Sequence, residues 1–225
     1  MKFVFLALAL APLLLPLIFQ VNKKIYSNGS FKPAVGAALI SAIIFSVIAV
    51  LQHWFQVTSY KTGLNLDISI KEVPVELSIL NFSFAFAALS IYQYLNVKFP
   101  NNNLQRYSLA LSNLLLGLCV AFLFFAYTKW YTLFTFATLL VVLFLIEYVG
   151  KLRFMYKAYR AFLVSLVPFY VVYGIVFWSE LFVVAPSQLS GMHIAKIPIE
   201  THFVVLAMLL LAIYMFEFFK SKKAV

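Results

Sequence analysis

Residues 71–77 read KEVPVEL and residues 195–201 read AKIPIET, and each opens a long apolar stretch. Proline, a branched aliphatic residue and an acid follow one another in both. A carboxylate at the mouth of a membrane-length apolar run carries a desolvation cost, and this chain places one there twice, at Glu76 and Glu200. The same offset of 124 residues relates Pro74 to Pro198, Ile70 to Ile194 and Trp54 to Trp178. Further along it relates Ala88 to Ala212 and aligns Tyr92-Gln93-Tyr94 with Phe216-Glu217-Phe218. Single aliphatic matches are cheap in an apolar chain. A tryptophan, a proline and a glutamate held in one register indicate an internal repeat.

The surrounding composition fixes the solvent. Of 225 residues 64% are hydrophobic and only 11% charged, far from the roughly one-quarter charged residues of a soluble domain. Seven apolar runs approach the length of about 20 residues that a spanning helix needs. They cover 3–20, 34–56, 76–95, 108–127, 131–149, 161–183 and 200–219, so the expected fold is an all-α polytopic membrane protein. The first run follows Lys2 as a signal peptide would. Its small-x-small triplet Ala7-Leu8-Ala9 lies inside the apolar core, too early for cleavage, so we expect a retained helix bent or shortened by Pro12 and Pro16.

The net charge of +10 would suggest nucleic acid in a soluble protein, but no basic stripe with stacking aromatics lies outside the spans, so no nucleic-acid partner is expected. With seven spans, twelve of the seventeen basic residues fall on one side of the bilayer, Lys23, Lys98, Arg160 and Lys220 among them. The positive-inside rule then puts the N-terminus outside and the C-terminus in the cytoplasm. Cys119 is the one cysteine, so no internal disulfide forms and no cysteine cluster offers a metal site.

An offset of four spans preserves direction across the membrane. The expected organisation is two parallel three-helix repeats, 1–107 and 131–225, joined by a connecting helix at 108–130. Glu76 and Glu200 then lie at equal depth, and a pseudo-two-fold axis could bring them face to face. A competing reading needs no chemistry: a carboxylate in the first turn meets free N–H groups and the positive end of the helix dipole. Other polar residues share that layer: Gln52 and His53 at the end of the second span, Glu180 at the end of the sixth, and His202. His53, Glu76, Glu180, Glu200 and His202 would form one polar shell, although His202 stands about 200° around the helix from Glu200. Glu147 and Glu217 sit near Lys151 and Lys220, where charge pairing is the simpler expectation.

The segments GLNLDISIKEVPVELSILNFSFAFAALSIYQYLN and LSGMHIAKIPIETHFVVLAMLLLAIYMFEFF, together with the repeat from about Trp54 to Phe219, resemble the small membrane lycopene cyclase domain family. Its members are carotenoid cyclases built from two homologous halves. The resemblance implies a hydrophobic isoprenoid or carotenoid substrate inside the bilayer. It implies closure of a β-ionone ring without net redox change, with Glu76 and Glu200 as acid and base. Trp54, Trp178 and Asn81 would line the substrate pocket, with His53, Glu180 and His202 supporting it. Family members usually carry a second acid directly after each glutamate, where this chain has Leu77 and Thr201.

Such a reaction needs a carboxylic acid that stays protonated, which an apolar site favours, a dry pocket, and groups that stabilise a carbocation. No Gly-rich dinucleotide fingerprint occurs, and no cofactor is expected. Two other readings remain: a degenerate member that binds or modifies another polyprenyl lipid, and a seven-helix transporter of the same layout. A retinal protein is disfavoured, because Glu200–Phe219 contains no lysine for a Schiff base.

Overall fold

The computed structural model describes residues 3–20, 30–61, 63–66, 68–101, 105–150 and 154–223. The first apolar run forms α1 (Val4–Leu10) and α2 (Leu14–Gln20), joined by a 3₁₀ turn over Ala11–Leu13 that contains Pro12. A proline lacks the N–H of an unbroken helix, so the interruption falls where the sequence puts it. The next run is α3 (Phe31–Trp54). Three short strands follow, β1 (Thr58–Tyr60), β2 (Ser69–Ile70) and β3 (Val73–Pro74), and lead into α4 (Val75–Lys98). Helix α5 (Ser108–Phe125) precedes α6 (Trp130–Phe144), which continues as a π-helical turn over Leu145–Val149. The chain then runs through α7 (Met155–Trp178), β4 (Phe182–Val184), β5 (His193–Ile194), β6 (Ile197–Pro198) and α8 (Ile199–Lys223).

Six helical segments among the described residues are long and apolar enough to cross a membrane, and Val4–Ile18 of the α1–α2 pair is a shorter apolar segment. The fold is thus the expected all-α polytopic membrane protein. Helices α4 and α8 form its centre: 78% and 56% of their most apolar windows are buried, against 11% for α5. Helix α5 packs at the side, leaving the two proline-glutamate helices in the middle.

The 124-residue register reappears as geometry. Strands β1 and β4 pair antiparallel with Ser59 opposite Val183, Thr58 opposite Val184 and Tyr60 opposite Phe182. Because Ser59 and Val183 are equivalent positions, a pseudo-two-fold axis passes between them, as in a self-complementary dimer contact. At the other end of the bundle Tyr92 and its equivalent Phe216 touch edge to face, 6.3 Å between centroids. The axis therefore runs along the bundle from the strand end to the opposite end.

Each proline closes a two-residue β-hairpin: Ser69 pairs with Pro74 and His193 with Pro198. The turn residues take positive φ at both positions, 49° and 68° at Lys71 and Glu72, and 49° and 65° at Ala195 and Lys196. Two positive φ values define the primed turn that suits the twist of a hairpin. A Cβ makes that region costly by roughly 1–2 kcal/mol per residue. Ala195→Gly should accordingly raise thermal stability in detergent by up to about 1 kcal/mol, the larger gain being offset by freedom added to the unfolded chain. Gln56 and Glu180, again equivalent, share a third left-handed position at 56° and 57°.

Candidate functional site

Pro74 ends its hairpin in extended backbone, and α4 starts at the next residue, which puts Glu76 in the first turn. Glu76 is fully buried, and its Oε1 accepts a hydrogen bond from the Leu66 backbone N–H at 2.5 Å. Glu200 repeats this: it is fully buried and accepts from the Ser190 N–H at 2.7 Å. Leu66 and Ser190 are themselves 124 residues apart. These bonds reach ten residues upstream into the incoming loop. The carboxyl groups thus pin a loop against the helix start, a role distinct from the first-turn capping weighed above. In both residues Oε2 is buried without a hydrogen-bond partner.

The two sites differ in one neighbour. Glu200 Oε1 also accepts from the Thr132 hydroxyl of α6 at 2.7 Å. The residue 124 positions before Thr132 is Leu8, which has no hydroxyl to give, and the Leu66 N–H is the hydrogen-bond donor the structure shows at Glu76.

A small cavity of about 50 Å³ lies on the pseudo-axis. Its walls include the equivalent pairs Gln52 and Val176, Leu77 and Thr201, and Leu80 and Val204. Asn81 of α4, Tyr131 of α6 and Tyr173 of α7 complete its polar lining. The Tyr131 and Thr201 hydroxyls stand 3.2 Å apart. A volume near 50 Å³ holds one or two waters, each of which takes about 30 Å³ in the liquid. Neither Glu76 nor Glu200 lines this cavity. The expectation that they meet face to face on the axis is therefore corrected: each carboxyl lies inside its own repeat, and the residue after it faces the axis. The physical reason is helix phase, since successive side chains project about 100° apart. Leu77 and Thr201 are the residues that take the axial place.

The expected polar shell is likewise dispersed. His202 is buried, with Nδ1 at 3.1 Å from the Pro198 carbonyl and Nε2 at 3.0 Å from the Tyr170 hydroxyl. This pattern suits a neutral ring that donates from Nδ1 and accepts at Nε2. The ring stands between α7 and α8, on a different face from Glu200. Glu180 is exposed in the turn after α7. His53 closes α3, where Nδ1 meets the Thr58 carbonyl at 2.8 Å and Nε2 meets the Glu72 carboxylate at 3.1 Å. Both ring nitrogens face acceptors, so only a doubly protonated ring makes both bonds at once.

Trp54 and Trp178 are mostly exposed at equivalent sites and lie under Lys71 and Lys196, whose Nζ atoms are 5.0 and 4.4 Å from the ring centroids. Neither tryptophan reaches the axial cavity; Trp54 lines a separate groove on the outside of α3 and α4. At the far end of the bundle, Glu217 accepts from the Tyr92 hydroxyl at 2.7 Å, a bond across the repeats in place of the expected lysine pairing. Glu147 accepts from the Ser112 hydroxyl, which also contacts the Tyr159 hydroxyl at 2.7 Å. Lys151, its expected partner, lies outside the described residues. Tyr131, Thr132 and Tyr173 were not apparent from the sequence, because each is one hydroxyl in an apolar run and gains meaning only from its neighbour across the bundle.

The fold and its polar groups define a class: a two-repeat helical membrane protein with a buried carboxyl at each helix start and a small, phenol-lined cavity at its centre. The chain matches the family model described as Lycopene cyclase over residues 2–95 and 128–219, and it belongs to that family. Comparison with curated proteins and with solved structures returns no match.

Proposed function

We propose that this protein is a carotenoid-pathway enzyme that closes the end of a linear carotenoid into a β-ionone ring, with Glu76 and Glu200 as its proton-transfer groups. The observation that carries this reading is the state of the two carboxyl groups, each bonded through Oε1 and bare at Oε2. Protonation of an alkene calls for an O–H that is not already spent on a better acceptor, because a π bond competes poorly with a carbonyl or carboxylate. A carboxyl anchored by its carbonyl oxygen and unpartnered at the other oxygen suits that step.

The reaction balances without a redox partner. A proton adds to the terminal double bond, the neighbouring double bond closes on the resulting tertiary cation, and a base removes a proton from the ring. Burial keeps water from trapping the cation, and the faces of Tyr131 and Tyr173 offer π density beside the axis. Thr132 would hold Glu200 in one orientation, which suggests unequal roles for the two acids. The positive-inside pattern supports a bacterial-type placement with the hairpin end outside and the C-terminus cytoplasmic.

A second reading is favoured by one specific feature. The axial cavity is lined by Leu77 and Thr201, with no carboxylate, and a member that binds a carotenoid without converting it would look the same there. Expression in a host that accumulates lycopene separates the two. New monocyclic or bicyclic pigment is expected; unchanged lycopene alongside verified protein in the membrane rejects the enzyme in favour of the binder.

A further inference from the structure

We propose that the lipid-facing groove between α3 and α4 is a binding site for the chain of a linear polyisoprenoid hydrocarbon of the carotenoid class. The groove has a volume of about 690 Å³ and is walled almost wholly by carbon, including Leu39, Ile43 and Val47 of α3 and Ile79 and Phe82 of α4. Trp54 and Lys71 stand at its mouth. From Leu39 to Trp54 a helix rises about 22 Å, so the space averages roughly 30 Å² in section, room for one hydrocarbon chain.

The pseudo-symmetry makes the groove informative. The equivalent face of the second repeat is plugged: Ser46 and Ser78 of the groove correspond to Tyr170 and His202, which are hydrogen bonded at 3.0 Å. Ala42 corresponds to Leu166. One repeat therefore keeps the space open with three small residues while the other fills it. Those small residues leave notches along the floor of the groove that methyl branches can occupy and a straight acyl chain would leave empty. Lys71 is the one charged residue among those that line the groove, and its ammonium rests over the Trp54 ring.

The groove also adjoins the axis. The Asn81 amide donates to Ser46 Oγ at 3.4 Å, and while Ser46 lines the groove, Asn81 lines the axial cavity. A single long hydrogen bond thus bridges the two spaces. A chain lying in the groove would pass this contact about midway along α3, where only the Ser46–Asn81 pair separates it from the phenol-lined centre. The choice of a carotenoid as occupant rests on the functional reading above; the selectivity of the groove for a branched polyene over bilayer lipid does not require turnover.

Two single-tryptophan proteins test this in phosphatidylcholine nanodiscs titrated with lycopene. Trp130→Phe with Trp178→Phe leaves Trp54 as the reporter, and Trp130→Phe with Trp54→Phe leaves its equivalent Trp178. Saturable quenching of Trp54, at least fivefold stronger than that of Trp178 at the same pigment load, is the expected result. Adding Val47→Phe and Ile43→Phe to the Trp54 protein should remove most of that quenching; both positions are over half exposed, so bulk there fills the groove without entering the packed core. Equal quenching of the two tryptophans, the signature of pigment dispersed in the bilayer, overturns the proposal, as does full quenching in the filled variant. Pigment conversion without selective quenching would sink the groove and spare the activity. Selective quenching without conversion supports the groove and counts only against the enzyme.

Discussion

Glu76→Gln and Glu200→Gln are each expected to cut carotenoid cyclisation by at least about 100-fold, the lower range for removal of a general acid or base, while membrane expression persists. Glutamine keeps an oxygen in place of Oε1, so the Leu66 N–H and the Ser190 N–H retain their acceptor. What is lost is the bare oxygen, the atom that would give or take the proton. The substitution therefore separates chemistry from anchoring, which replacement by alanine cannot do. Pigment profiles of a lycopene-accumulating host, normalised to protein in the membrane, give the measurement. Near-normal conversion in both variants would reduce the carboxyl groups to loop anchors.

Replacement by alanine addresses that anchoring. Glu200→Ala leaves two donors without their acceptor, the buried Thr132 hydroxyl and the partly buried Ser190 N–H. A buried group deprived of its partner costs about 1–3 kcal/mol, and the space vacated by the side chain adds to this. A loss of about 2–4 kcal/mol is expected for Glu200→Ala, read as a fall in the thermal midpoint of the detergent-solubilised protein. Glu76→Ala orphans only the Leu66 N–H and should cost less. Each glutamine variant should lie closer to the parent than its alanine counterpart. The order of the two alanine variants is the informative part, because the sequence motif treats the glutamates as identical and the structure gives one of them a further donor.

Much of the architecture was legible in the sequence because membrane spans announce themselves by length and because three rare residue types recurred in one register. Trp54 and Trp178, Pro74 and Pro198, and Glu76 and Glu200 all occupy equivalent places in the folded chain. The direction of each side chain was not legible. Helices α4 and α8 are apolar nearly all round, so no polar face sets their rotational phase. The assumption that the conspicuous glutamates would face the axis had nothing in the sequence to correct it, and Leu77 and Thr201 turn out to hold that place.

The hairpins were also hidden. Two-residue strands are too short for an alternating pattern, and turns with Lys-Glu or Ala-Lys at left-handed positions lack the usual Asn-Gly signal. The partner of each carboxyl is a backbone N–H, which carries no residue signature at all. Tyr170 and His202 illustrate the same limit, since their contact spans 32 residues and fills a place that Ser46 and Ser78 leave open in the first repeat.

These departures from symmetry are where the function resides in this account. Two repeats supply two anchored acids, one of them with the added Thr132 donor, and one open groove against one plugged face. A symmetric scaffold thus offers an asymmetric path for an extended molecule.

Conversion of lycopene by the reconstituted protein in D₂O, followed by mass spectrometry of the product, tests acid–base cyclisation by the buried carboxyl groups most directly. Each ring formed should carry one deuterium, because the entering proton comes from an exchanged carboxyl and the leaving proton from the substrate, and the product should otherwise have the composition of lycopene. Cyclic product without deuterium, product altered in its hydrogen count beyond that exchange, or labelled product undiminished in the Glu76→Gln/Glu200→Gln protein would contradict the account.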